Sequence, residues 1–124
     1  MYNNTKFKQF EIKASYKGNK KASWGDNWNN YMITVTNTET DQKITFEFWA
    51  SIANPELKTE YDILNAFYCF VSDAIAGSNF KEFCNESRQA EKIYRKCKKQ
   101  LEKLKKIYDG DIYELANELQ KVAD

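Results

Sequence analysis

The chain has 124 residues, the length of one domain, and 19 Lys+Arg against 18 Asp+Glu leave a formal charge of +1. It contains no histidine, which excludes a Ser-His-Asp or Cys-His centre and a His-ligated metal, and removes the side chain that titrates between about pH 5 and 8. With 42% hydrophobic and 15% aromatic residues and a single proline, it is not the composition of a disordered chain.

In chain order, Phe10, Ile12, Ala14 and Tyr16 alternate with Glu11, Lys13 and Ser15, the period-two pattern of a half-buried strand. Lys17-Gly18-Asn19-Lys20-Lys21 is turn chemistry, and a loop is expected to run on through Trp24, Gly25, Asp26 and Trp28 to Asn30. Tyr31, Ile33 and Val35 alternate with Met32, Thr34 and Thr36 in a second strand. After the polar stretch Asn37 to Gln42, Ile44, Phe46 and Phe48 mark a third, so that the last two form a hairpin. A small antiparallel sheet with one apolar face needs a cover.

The second half supplies it. Beyond Pro55, Thr59 or Asp62 caps a helix in which Ile63, Leu64, Phe67, Tyr68, Phe70, Val71, Ala74 and Ile75 leave little polar face before Gly77, expected to stop it. A helical turn carrying Phe80, Phe83 and Cys84 follows. From Ser87 to Tyr108 the spacing of Ala90, Tyr94, Cys97, Leu101, Leu104 and Tyr108 makes an a/d seam, widened by Ile93 and Ile107. Asp109-Gly110 ends that helix, and Asp111 with Glu114 as capping-box partner opens a last one whose stripe is Ile112, Leu115, Ala116, Leu119 and Val122. The expected fold is α+β in one domain, residues 1–124. An antiparallel sheet of about three strands lies over residues 7–50, with helices over residues 59–124.

Cys69, Cys84 and Cys97 are odd in number and form no C-x-x-C pair, so core residues in a reducing cytoplasm are expected rather than a disulfide framework or zinc site. The N-terminus has no apolar h-region, and the apolar stretch Ile63 to Ala76, broken by Asn65, Ser72 and Asp73, is too short to span a bilayer. No membrane association is expected.

The near-neutral total conceals a separation. Between Ser87 and Tyr108 nine basic residues meet only Glu91 and Glu102, a net of +7, so the rest of the chain carries −6. Arg88, Lys92, Arg95 and Lys99 fall on one helical line, and Lys92, Lys96, Lys99 and Lys103 on an overlapping one. Such a face is either solvated or a binding face for phosphate. A duplex-DNA reader would show a basic pI and a docking motif, whereas the pI here is about 7.6. Single-strand binders stack bases on aromatics, for which Trp24, Trp28 and Trp49 are the candidates. A small phosphorylated ligand, needing a few cations and one aromatic, suits the pattern better than nucleic acid. Four scattered glycines make no phosphate loop, and no nucleophile, base and oxyanion donor assemble, which argues against an enzyme and gives no cofactor or metal. Asp73, among Val71, Ala74 and Ile75, is either an exposed acid or a buried partner for Arg88 or a ligand hydroxyl.

The segments Ser72-Asp73-Ala74, Phe80-Lys81-Glu82-Phe83-Cys84 and Ser87-Arg88-Gln89-Ala90, with Tyr94 and Cys97, resemble a family of small phage and prophage proteins. The likeness is carried by the helical half. Where relatives have a short acidic aromatic segment between the second and third motifs, Glu86 here runs directly into Ser87. Size and element order are also similar to the Thoeris anti-defence sponge proteins of phages. That resemblance implies a host-cytoplasmic protein that sequesters a cyclic ADP-ribose-type signal without cleaving it, acting as a homo-oligomer. It further implies Phe83 as a stacking ring and Asn85, Ser87 and Arg88 as polar contacts at a helix start, with Lys92, Arg95 and Lys99 continuing the cationic line. Two other functions stay open: a direct protein inhibitor of a host nuclease, of the anti-CRISPR kind, and a nucleic-acid-binding phage protein.

Overall fold

The computed structural model describes residues 4–21, 27–50, 57 and 59–123. The fold is α+β: a four-stranded antiparallel sheet followed by three helices. Strands β1 (Asn4–Phe7), β2 (Phe10–Lys21), β3 (Asn27–Asn37) and β4 (Lys43–Ala50) lie in sheet order 1-2-3-4, each paired with its sequence neighbour. The helices are α1 (Glu60–Ser78), α2 (Arg88–Ile107) and α3 (Ile112–Ala123), with a 3-10 turn, Asn79–Phe83, between the first two.

The alternation seen in the sequence sets the faces of the sheet. Phe10, Ile12, Tyr31, Ile33, Val35, Ile44 and Phe46 are buried, while Lys13, Ser15, Thr45 and Glu47 are exposed. One face therefore packs on helices and the other turns to solvent. Phe10 meets Phe67 of α1 edge-on at 5.6 Å, and Phe46 stacks on Phe70 at 4.2 Å. Both α2 and α3 pack against α1, which makes α1 the centre of the molecule. Its start is a capping box: the Asp62 N–H donates to Thr59 Oγ1 at 3.3 Å, and the Thr59 N–H donates to Asp62 Oδ2 at 2.9 Å.

Four expectations need correction. A fourth strand, β1, precedes the three. Asn4-Thr5-Lys6-Phe7 is too short and polar to show a pattern, yet Thr5 is buried opposite Ile12, and Lys8 takes a left-handed conformation (φ 52) in the tight turn between them. The stretch Lys17 to Lys21 does not turn. The register steps from Tyr16↔Tyr31 to Asn19↔Asn29, a bulge of one extra residue, and Gly18 (φ +96) supplies the backbone conformation it needs. The supposed loop is thereby shortened: Trp28 and Asn30 belong to β3, whereas Trp24 and Pro55 lie outside the described residues.

Gly77, finally, does not stop α1, which runs on to Ser78. A Cβ on Gly77 would fall 2.0 Å from Cys97 Sγ and 2.4 Å from Cys97 Cβ. The glycine is there so that α1 and α2 can approach closely. The same packing absorbs the a/d seam of α2, whose Ala90, Cys97, Leu104 and Ile107 are buried within the chain, so the seam gives no reason to expect a partner helix.

Polar clamps finish the frame. Asn37, buried at the end of β3, donates from Nδ2 to the Ile107 carbonyl at the C-terminus of α2 (2.7 Å) and accepts the Glu39 N–H on Oδ1 (3.0 Å). Asp111 caps α3 by accepting the Tyr113 N–H at 2.9 Å, and Glu114 makes no return bond among the described residues. Lys8 pairs with Glu118, tying the first hairpin to α3. No helix among the described residues is long and apolar enough to cross a membrane.

Candidate functional site

The buried stripe of α2 decides where its cations go. With Ala90, Cys97 and Leu104 turned inward, the flank carrying Lys92, Lys96, Lys99 and Lys103 faces β4. Between that flank and the strand lies a groove of about 610 Å³. Its helical wall is Lys92, Arg95, Lys96, Lys99, Gln100 and Lys103; the opposite side is Phe46, Glu47 and Trp49, with Phe70 at the base. Five cations thus meet one carboxylate, Glu47. None of the four lysines is engaged in an ion pair among the described residues, and Arg95 Nη2 is held only by Glu91 Oε1 one turn back, at 2.6 Å. That pair is exposed, and exposed pairs at this spacing contribute ~0.3–0.5 kcal/mol, so an incoming anion can take Arg95 over at little cost.

The site residues expected from sequence divide between two places. Lys92, Arg95 and Lys99 line the groove, joined by Lys96 and Lys103 of the overlapping line. Phe83 and Ser87 line a separate cleft of about 510 Å³ at the start of α2, with Phe80, Glu86, Gln89, Ala90 and Ile93. Asn85 and Arg88 are exposed and line neither. Ser87 is already engaged as the N-cap: its Oγ accepts the Ala90 N–H at 3.3 Å, and its carbonyl accepts the Glu91 N–H at 3.1 Å. Glu86 and Glu91 flank this helix start, which weakens its attraction for an anion. Phe83 is half exposed and meets Phe80 edge-on at 6.4 Å, an aromatic pair open to solvent.

The side chains that complete the groove come from distant parts of the chain. Phe46 and Trp49 of β4 and Phe70 of α1 reach it only through the fold. Gln100 was hidden by its ordinary place in a polar helix, yet its Oε1 is buried without a hydrogen-bond partner. It borders both the groove and a smaller cleft of about 270 Å³ that holds Asp73, Gly77, Lys96 and Cys97. A buried acceptor without a donor costs free energy that a ligand N–H can recover.

Asp73 reaches solvent but is crowded enough that partial burial pushes its carboxyl above the usual range, against the pull of Lys96. Burial likewise raises the thiols of Cys69 and Cys97, and the Asp73 charge raises both further. Both shifts disfavour the thiolate, the form that acts as nucleophile and metal ligand. The groove thus sets exposed cations on one side against Trp49 and the stacked rings of Phe46 and Phe70. No known family model, curated protein or solved structure matches this chain.

Proposed function

We propose that this protein binds a small phosphorylated nucleotide of the cyclic ADP-ribose type in the groove between β4 and α2, and holds it without cleaving it. The single observation that carries this is the groove itself, in which Lys92, Arg95, Lys96, Lys99 and Lys103 line one side against Glu47 alone. A pyrophosphate would be met by several charge-assisted hydrogen bonds, and a base could lie against Trp49 or Phe46. The likeness to phage sponge proteins supports the biological setting: a phage-encoded counter-defence protein acting in the host cytoplasm. The same wall is too short and too locally charged to favour duplex DNA, which is read through a docking element and a wide basic footprint.

Homo-oligomer formation belongs to this proposal as well. Its support is the pair of exposed aromatics Phe83, at 49% of its full exposure, and Phe80, at 36%. Light scattering on the purified protein checks it, and a monomer mass at all concentrations removes it.

The test of binding is thermal melting with cyclic ADP-ribose isomers, ADP and inorganic phosphate. A ligand at ~100 times its dissociation constant adds ~2.7 kcal/mol, a rise of several degrees. Mass spectrometry should recover the nucleotide intact from the heated complex. No shift with any nucleotide sinks the proposal, and recovery of a cleaved product replaces sequestration with catalysis.

A further inference from the structure

The groove has a second property that its charge does not express. Strand side chains alternate between the two faces of a sheet. Phe46 belongs to the buried face, and Glu47 lies on the other, as does Trp49. A groove lined by all three cannot lie on either face; it runs along the edge of β4. Since β4 is the last strand of the sheet, this is the edge that β3 leaves open. Among the described residues, positions 43–48 make no backbone hydrogen bond on the side away from β3. An open strand edge is a template for another strand.

The opposite wall selects what that strand carries. From Lys92 to Lys103 the helix rises ~16 Å at ~1.5 Å per residue, the length of about five residues of extended chain. Same-face side chains on a strand recur every ~6.7 Å, near the ~5.4 Å pitch on which the lysines recur. Five residues of a strand laid along β4 set three side chains on one face, so acids at those positions would bring about three carboxylates to the four lysines.

The geometry points to β4 as the docking edge for an extended acidic segment of a partner protein, which adds to the sheet as a fifth strand with alternate Asp or Glu side chains facing Lys92, Lys96, Lys99 and Lys103. Main-chain bonds give such strand addition its affinity and the side-chain pockets its specificity. A nucleic-acid strand is the less suitable occupant, because phosphates accept N–H donors but leave the carbonyls of the edge unpaired. This inference rests on the strand edge and is independent of the nucleotide proposal, although the two occupants share one groove.

Fluorescence anisotropy with the full chain tests it, using a labelled eight-residue peptide that alternates valine and aspartate. Beside it run a valine–lysine counterpart, two acidic peptides N-methylated on one or the other alternating set of residues, and a labelled oligo-dT of eight nucleotides. The acidic peptide is expected to bind at least ten-fold tighter than the basic one and the oligo-dT. N-methylation of one set should weaken binding ten-fold or more while the other set changes it less than three-fold, because only one set faces β4. Amide exchange at residues 43–48 should slow in the complex. Absence of binding overturns the proposal. So does equal tolerance of both N-methylated sets, which would make the attraction merely electrostatic, or oligo-dT binding as tight as the peptide, which would make the groove a nucleic-acid channel. Failure here with a nucleotide-induced rise in melting temperature would leave the ligand site standing alone.

Discussion

Helices α1 and α2 are of nearly equal length, 19 and 20 residues, and are put to opposite uses. In α1 eight residues are buried, among them Phe67 and Val71 with no exposed surface, and its last turn carries no basic residue. In α2 four are buried, and eleven of the other sixteen are lysine, arginine or glutamate. The difference teaches how one small chain separates core packing from the display of charge. A helix covered on most sides holds the core together, and a helix anchored by a narrow stripe is free to present charge.

That division can be broken first at its strongest point. Phe67→Ala removes a fully buried ring packed on Phe10, and should cost ~3–5 kcal/mol in denaturant unfolding. Lys99→Ala, on the exposed flank of α2, should change stability by less than ~0.5 kcal/mol. If the two losses were similar, the helices would not be specialised as described.

Next comes the joint between them. In an ordinary helix interior Gly→Ala stabilises by ~1 kcal/mol. At Gly77 the added methyl would lie 2.0 Å from Cys97 Sγ, so Gly77→Ala should instead destabilise, by ~1–3 kcal/mol from overpacking. Cys97→Gly, made in that background, should recover part of the loss, and a double-mutant cycle measures the coupling. A Gly77→Ala protein as stable as the wild type would mean that the helices sit further apart.

Smaller effects sharpen the contrast at the rims. Asn37→Ala leaves the Ile107 carbonyl without its buried donor and should cost ~1–3 kcal/mol by chemical denaturation, with faster amide exchange in the last turn of α2. Asp73 gives a pH signature. Its pKa is raised in the folded protein, so folding favours the protonated form, and the ionised carboxylate lowers stability once pH exceeds the folded value. Asp73→Asn should therefore raise the melting temperature slightly near pH 7, and the gain should vanish as pH falls below the usual carboxylate range. A gain that persisted or grew in acid would contradict the desolvation of this side chain.

Much of this was legible in the sequence, and the exceptions share a cause. Alternation located β2, β3 and β4, and Thr59 or Asp62 and then Ser87 marked helix starts, because those signals are local; that Thr59 and Asp62 act together as a reciprocal box emerged only in the structure. The strand Asn4–Phe7 has one buried side chain, Thr5, whose burial depends on Ile12 across the sheet. Gly18 and Gly77 read as breakers because glycine signals an unusual backbone or a close approach without saying which. The site behaved likewise: helical spacing collected Lys92, Arg95 and Lys99, but only packing could bring Phe46 and Trp49 to them. Phe83 and Ser87 were set apart for the same reason. They are near Lys92 in sequence, yet a helix turns them into a different cleft.

The central claim is that the cations of α2 serve a bound anion and not the fold. Isothermal titration calorimetry with cyclic ADP-ribose and ADP, on the wild-type protein and on the Lys92→Glu, Lys96→Glu, Lys99→Glu triple variant, tests it most directly when melting temperatures are measured alongside. The wild type should bind, and the variant should bind about a hundred-fold more weakly or worse, a loss of ~2.7 kcal/mol, with its melting temperature little changed. Equal binding by both proteins, or no heat from the wild type with either nucleotide, would contradict it.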